Sequence, residues 1–277
     1  MILLGLLAVL AIVSTLVSTA AVPAPTLKPP VVLPGVEHIT LNRSQEAKYF
    51  HEPGGDDILG HYDTRFYHGV VSDAERVDTL RHMIRAYLNF FRENDLETWI
   101  AHGSLLGWWW NGKMLPWDWD LDTQVLDTTL ARMAVHFNHT IVTYVSDDDK
   151  VNRKYLLDVN PWAYWRDQGP GHNIIDARWI DLQNGLYIDI TGLSQLDREE
   201  EPGIWQSKNF HRYRTQDLYP LRESVYEGVP VKIPYKYQKI LVEEYSARAL
   251  TRTRFQNHTW FPELEEWVPD DVELPFA

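Results

Sequence analysis

The stretch Pro116-Trp117-Asp118-Trp119-Asp120-Leu121-Asp122 constrains this chain more than any other. Three carboxylates at alternate positions, interleaved with large apolar side chains, fit a strand with two unlike faces. On such a strand, predicted from Leu115 to Val125, neighbouring aspartates lie roughly 6.6 Å apart along one face. Trp117, Trp119 and Leu121 then bury the other face. Carboxylates this close repel one another unless a cation sits among them. Oxygen-only ligands favour Mg²⁺, Mn²⁺ or Ca²⁺. An EF-hand loop starting at Asp118 is excluded: it needs Gly at its sixth position and Glu at its twelfth, where this chain has Thr123 and Thr129. The plain alternative is a solvated acidic strand, and the interleaved tryptophans argue against it.

Two further features extend the acidic motif into a candidate site. Upstream, His102-Gly103-Ser104 follows a predicted strand, Glu97 to His102. A Gly-Ser step there exposes backbone N–H groups and a hydroxyl that can cradle a phosphate beside a metal. Downstream, Gly185-Leu186-Tyr187-Ile188-Asp189-Ile190-Thr191 sets one carboxylate among apolar neighbours, where it is costly unless paired or metal-bound. Asp189 is therefore a third site carboxylate, as ligand or as base for an acceptor hydroxyl. Lys113, Arg153, Lys154 and Arg178 are candidate donor-phosphate contacts, although each is also an ordinary cation for a surface. His102 is either a site donor or a structural histidine. Trp108, Trp109, Trp110 and Trp117 offer stacking faces for a base or sugar, with a core role the competing use.

The rest of the chain places these motifs. Its 277 residues are 44% hydrophobic, enough for a substantial core. The net charge of −13 repels nucleic-acid phosphates, so DNA and RNA are not expected partners. The absence of cysteine excludes disulfides and zinc–thiolate sites. Residues 1–21 are apolar and end in small residues, which fits a cleaved leader with a site near Ala20 or a single membrane anchor. The sequons at Asn42, Asn138 and Asn257 agree with entry into the secretory lumen. The expected location is therefore the secretory pathway, in the Golgi lumen or outside the cell. Residues 22–71 read as a Pro-rich linker and an irregular segment, and 251–277 as an acidic extension, with Glu263 to Glu273 on the surface.

Between them, Ser72 to Asn94 is predicted helical. Ser72 and Glu75 form a capping-box pattern, and Val77, Leu80, Ile84, Tyr87, Leu88 and Phe91 make one apolar face. A short helical turn at Leu105 to Trp108, an Asn111-Gly112 turn and a helix from Thr128 to Phe137 capped by Asp127 follow. Strands are predicted at Tyr155–Val159, Ile174–Ile180, Leu186–Thr191 and Val229–Ile233, with a helix from Tyr235 to Ala249. Mixed strands and helices make this an α+β (α/β-like) chain.

His102-Gly103-Ser104-Leu105-Leu106-Gly107, Asn111-Gly112-Lys113 and Pro116-Trp117-Asp118-Trp119-Asp120-Leu121-Asp122 together resemble the LicD/fukutin family. Tyr187-Ile188-Asp189-Ile190 is similar to its later carboxylate strand, and Val231-Lys232-Ile233-Pro234 with Tyr237, Leu241 and Tyr245 to its C-terminal element. The resemblance spans roughly residues 72–250 and is nearest to fungal members linked to mannosylphosphate addition. It implies a nucleotidyltransferase-type mixed β-sheet flanked by helices, and Mg²⁺ or Mn²⁺ on Asp120 and Asp122, with Asp118 and Asp189 beside them. Gly103, Ser104, Lys113 and Arg178 would then contact donor phosphate. The activity implied is transfer of a sugar phosphate, phosphocholine or similar group from a CDP- or GDP-linked donor to a glycan or glycoprotein. The Trp108-Trp109-Trp110 run departs from the family's smaller or basic residues, and the zinc-binding cysteines of fukutin-related protein are absent. Two rivals remain: an Asp-x-Asp glycosyltransferase, and a non-catalytic glycan-binding or regulatory protein of the same fold.

Overall fold

The computed structural model describes residues 37–38, 47–148, 150–168, 171–195 and 199–272. The leader or anchor at 1–21, the Pro-rich stretch 22–36 and the Asn42 sequon lie outside the described residues. No helix among the described residues is long and apolar enough to cross a membrane.

In chain order the elements are β1 (Glu37–His38), α1 (Asp73–Glu93), β2 (Trp99–Ile100), α2 (His102–Asn111), β3 (Leu121–Leu126), α3 (Asp127–His136), β4 (Thr140–Val145), β5 (Asn152–Val159), β6 (Ala177–Asp181) and β7 (Tyr187–Leu193). They continue with β8 (Ile204–Gln206), β9 (Arg212–Arg214), α4 (Thr215–Leu218), β10 (Arg222–Tyr226), β11 (Val229–Ile233), α5 (Tyr237–Tyr245), β12 (Arg254–Phe255), β13 (His258–Phe261) and β14 (Glu266–Pro269). The central sheet has the order β1-β4-β5-β6-β7-β3-β2. All its pairs are antiparallel except β3 with β7. The fold is thus a mixed β-sheet flanked by helices.

The scaffold helix forms for the reasons its sequence suggests. Ser72 Oγ accepts the Glu75 N–H at the start of α1, satisfying one of the orphan donors of a helix start. Leu80, Met83, Ile84, Tyr87 and Phe91 recur at helical spacing and are fully buried. This face lies against β6, β7 and β11. Beneath it, Trp179 of β6 stacks on Tyr155 of β5, with ring centroids 5.8 Å apart.

Several expected boundaries move. The acidic strand begins only at Leu121: Pro116 and Trp117 form a turn in which Asp118 N–H donates to Leu115 carbonyl. Proline has no N–H for a ladder, so the chain turns there. Trp117 and Trp119 consequently do not share one buried face. Trp119 lies under the Arg76 guanidinium, 4.8 Å from its ring centre, while Trp117 packs on Trp267 at 5.0 Å. The predicted strand 97–102 shortens to β2, because helix α2 already starts at His102 and is ten residues long. Asp127 is the first residue of α3 and not its cap; the cap position is Leu126, with no side-chain bond. The C-terminal helix stops at Tyr245, where Ser246 takes φ 69, and a 3-10 turn, Ala247–Leu250, follows.

Two glycines explain the Gly-rich spacing around α2. Gly112 takes φ 74 and closes the helix in the left-handed conformation. A Cβ on Gly107 would come within 2.4 Å of the Lys113 carbonyl, so only glycine lets the chain return against the helix toward the aspartates. The acidic C-terminal segment carries structure of its own. Strands β12, β13 and β14 form a three-stranded sheet, and Trp267 is buried against Trp110 at 4.8 Å.

Candidate functional site

The parallel pairing of β3 with β7 sets Asp122 directly beside Asp189 in register. Adjacent strands lie about 4.8 Å apart, so two carboxylates 67 positions apart in sequence are brought to one ridge. Asp118 and Asp120 reach the same place from the extended segment preceding β3. Helix α2 supports them: Ala101 N–H donates to the Asp122 carbonyl at 3.0 Å, and Asp122 N–H donates to Ser104 Oγ at 2.9 Å. Gly103 lies under Asp118, where a Cβ would meet Oδ2 at 3.1 Å.

Arg76 holds the acidic segment in shape. It is buried in the first turns of α1 and donates to the Pro116 carbonyl at 2.8 Å and to the Asp118 carbonyl. On sequence alone Arg76 is one more polar residue of an amphipathic helix, and no local signal marks its role.

Burial, with the charges of the neighbouring aspartates, dominates the electrostatics. Burial first and Asp120 second push Asp118 up to about 8. Burial, then Asp120, lifts Asp122 well above the carboxylate range, with Asp189 and Asp118 adding to the effect and His102 opposing it. Asp189 rises to about 6, through burial opposed by Arg178 and aided by Asp120. Asp120 faces His61, with 3.6 Å between Oδ2 and Nε2. Asp118 and Asp122 have no ion-pair partner among the described residues. An all-oxygen set under mutual repulsion fits a hard divalent cation such as Mg²⁺ or Mn²⁺.

Asp118, Asp120 and Asp122 line a cavity of about 470 Å³, together with Gly103, Trp110, Trp117 and residues of the C-terminal segment. Other expected contacts are engaged elsewhere. Lys113 pairs with Glu266. Arg178 is buried behind Asp189, donating to its Oδ1 at 2.9 Å and to Glu52 at 2.7 Å. Arg153 pairs with Asp181 at 2.9 Å. Trp108 donates its indole N–H to Ser224 at 2.8 Å, and Trp109 lies edge-on to Trp110.

A second group adjoins the ridge. His102, His211 and Glu244 place ligand atoms all within 4.8 Å of one another, an arrangement capable of coordinating a metal ion. Among the described residues this is the group that closes so tightly; the aspartates are spread more widely. His102 Nδ1 lies 2.9 Å from Glu244 Oε2, and Tyr213 donates to the other Glu244 oxygen at 2.8 Å. Burial disfavours an imidazolium, but the Glu244 bond, aided by Asp122, outweighs it and raises His102 to about 9.

Because this folded value lies above the unfolded one of about 6.5, the stabilisation from His102 is complete below about pH 6.5. It is lost as pH rises through about 9. His102→Gln should lower stability by ~3 kcal/mol at pH 6, and the difference from the parent should vanish above pH 9. Urea unfolding across that range checks this; a difference independent of pH would refute it.

Comparison with known proteins agrees with this geometry. The family model described as the LicD/FKTN/FKRP nucleotidyltransferase domain matches residues 95–236, about half of the chain and less than the motifs suggest. Two relatives from Saccharomyces cerevisiae are similar to this chain. Mannosyltransferase regulator 4 is 36% identical over 156 residues, covering 54% of this chain and 13% of the relative. Mannosyltransferase regulator 14 is 36% identical over 166 residues, covering 56% and 17% respectively. The match therefore spans less than a fifth of either relative's length. With the mixed sheet, the carboxylate ridge and the matched stretch in agreement, the chain belongs to the LicD/FKTN/FKRP nucleotidyltransferase-domain family.

Proposed function

We propose that the aspartate cavity holds the diphosphate of a nucleotide-linked sugar donor, and that the chain serves phosphate-linked sugar transfer to glycans in the secretory pathway. The observation that supports this is the cavity lined by Asp118, Asp120 and Asp122, with Asp189 in register beside Asp122. Asp120 and Asp122 would hold Mg²⁺ or Mn²⁺, with Asp118 and Asp189 beside them. Bound there, the cation would offset charge on the donor phosphates and align them. Ser104 and the start of α2 hold the Asp122 backbone, and Arg178 keeps Asp189 ionised and oriented. A positioned Asp189 can accept the proton of a sugar hydroxyl.

The same site admits a catalytic role and a regulatory one. The acidic geometry supports the first. The names of both yeast relatives support the second, in which the chain binds the donor and governs a mannosyltransferase without turning the donor over. Two steps test these readings on the full chain. Calorimetric titration with GDP and CDP, with and without Mn²⁺, should show metal-dependent binding of one of them; none at all refutes the donor site. Incubation with labelled GDP-mannose and a mannose-rich glycan then separates the roles. Release of nucleoside monophosphate with labelled phosphate on the glycan supports catalysis. Binding without release supports regulation, and release of the diphosphate supports a glycosyltransferase.

A further inference from the structure

The matched family domain ends at residue 236, yet the aspartate cavity is closed by residues beyond it. Its far wall comes from the end of α5, the 3-10 turn that follows and the C-terminal sheet, and carries Arg248, Arg252 and Phe255. The wall is anchored to the family domain. Trp110 of α2 donates its indole N–H to the Ala249 carbonyl at 3.3 Å, and its ring meets Trp267 at 4.8 Å. Phe255 lies edge-on to Trp117, with centroids 5.3 Å apart.

Arg248 and Arg252 are exposed, and neither is ion-paired among the described residues. That sets them apart from Lys113, Arg153 and Arg178, other candidate cations for this site, which all have carboxylate partners. The Arg252 guanidinium lies 4.9 Å from the Phe255 ring centre, which holds it at the cavity without neutralising it. The cavity is therefore bipolar: three aspartates on one wall and two unpaired guanidiniums on the other.

We propose that Arg248 and Arg252 form the phosphate-recognition subsite of this cavity, taking the oxygens of a nucleoside diphosphate that face away from the aspartates. The inference rests on the donor-binding reading above. A metal-bridged diphosphate has a second, outward set of anionic oxygens, and guanidinium forks suit them better than any other side chain. The subsite comes from a segment outside the family match, so donor affinity in this chain depends on residues that the family domain does not contain.

The test is calorimetric titration of the full chain and of the Arg248→Gln/Arg252→Gln double variant with Mn²⁺ alone, then with GDP, CDP and inorganic pyrophosphate in Mn²⁺. Both positions are exposed, so the unfolding midpoint of the variant should match that of the parent. The expected result is at least a tenfold loss of affinity for the nucleotide that the parent binds, and for pyrophosphate. Mn²⁺ affinity should hold or rise, because two like charges leave the cavity. Arg→Lys replacements should restore part of the loss. Nucleotide affinity within twofold of the parent overturns the subsite while leaving the aspartate site standing. If the parent itself binds no nucleotide in Mn²⁺, the donor reading fails and the subsite with it.

Discussion

Replacing Arg178 by methionine should destabilise the protein by about 3–5 kcal/mol, the cost of stranding one member of a buried ion pair. The guanidinium donates to Asp189 at 2.9 Å and to Glu52 at 2.7 Å. It also sits 3.6 Å from the Tyr187 ring centre and 4.7 Å from that of Phe50, and its side chain is 3% exposed. Methionine fills the volume but leaves Asp189 without its cation, beside Asp120 and Asp122, while Glu52 keeps only Lys48 as a partner. The melting temperature should fall by roughly 6–20 °C. Lysine retains charge but not the two-sided fork, so Arg178→Lys should fall between parent and methionine. Thermal and urea unfolding measure both. A variant of unchanged stability that had lost nucleotide binding would make Arg178 a donor contact instead of a scaffold cation.

Asp122→Asn should have the opposite sign on stability and a large effect on binding. The Asp122 carboxyl is held well above its ordinary range by burial and then by Asp120. A folded value above the unfolded one means that ionisation opposes folding: the stabilising contribution is full below about pH 4 and is lost as pH rises. Asparagine carries no such charge and leaves the backbone N–H to Ser104 intact. The metal-free variant should therefore be more stable than the parent by about 1–2 kcal/mol at pH 7 and above, with no gain near pH 3. Its Mn²⁺ affinity should drop at least ~100-fold, because a direct ligand is lost rather than a supporting one. Calorimetric Mn²⁺ titration and unfolding at the two pH values test this. Unaltered Mn²⁺ binding would move the metal site away from the ridge, with His102, His211 and Glu244 the next place to look.

These two residues mark where sequence reasoning reached its limit. Asp122 is visible in its own neighbourhood, because the aspartate alternation and the Gly-Ser step are local patterns. Arg178 looks equally plausible as a phosphate contact, since nothing near it in sequence reveals that Glu52, 126 positions away, occupies the guanidinium. Lys113 was drawn off in the same way by Glu266. His211 and Glu244 carry no motif, and they meet His102 only because α2, the loop before β9 and α5 converge.

Sequence by itself determined what short-range forces decide: the cap and apolar face of α1, strand β11, the left-handed turn at Gly112 and the acidic motif that places the chain in its family. Tertiary structure alone decided the parallel pairing that lays Asp189 beside Asp122, the sequestration of Arg178 and the wall that the C-terminal sheet adds to the cavity. The physical reason is range. Helical periodicity, capping and turn chemistry act over a few residues, whereas register and ion pairing join groups that the chain keeps far apart until the core has formed.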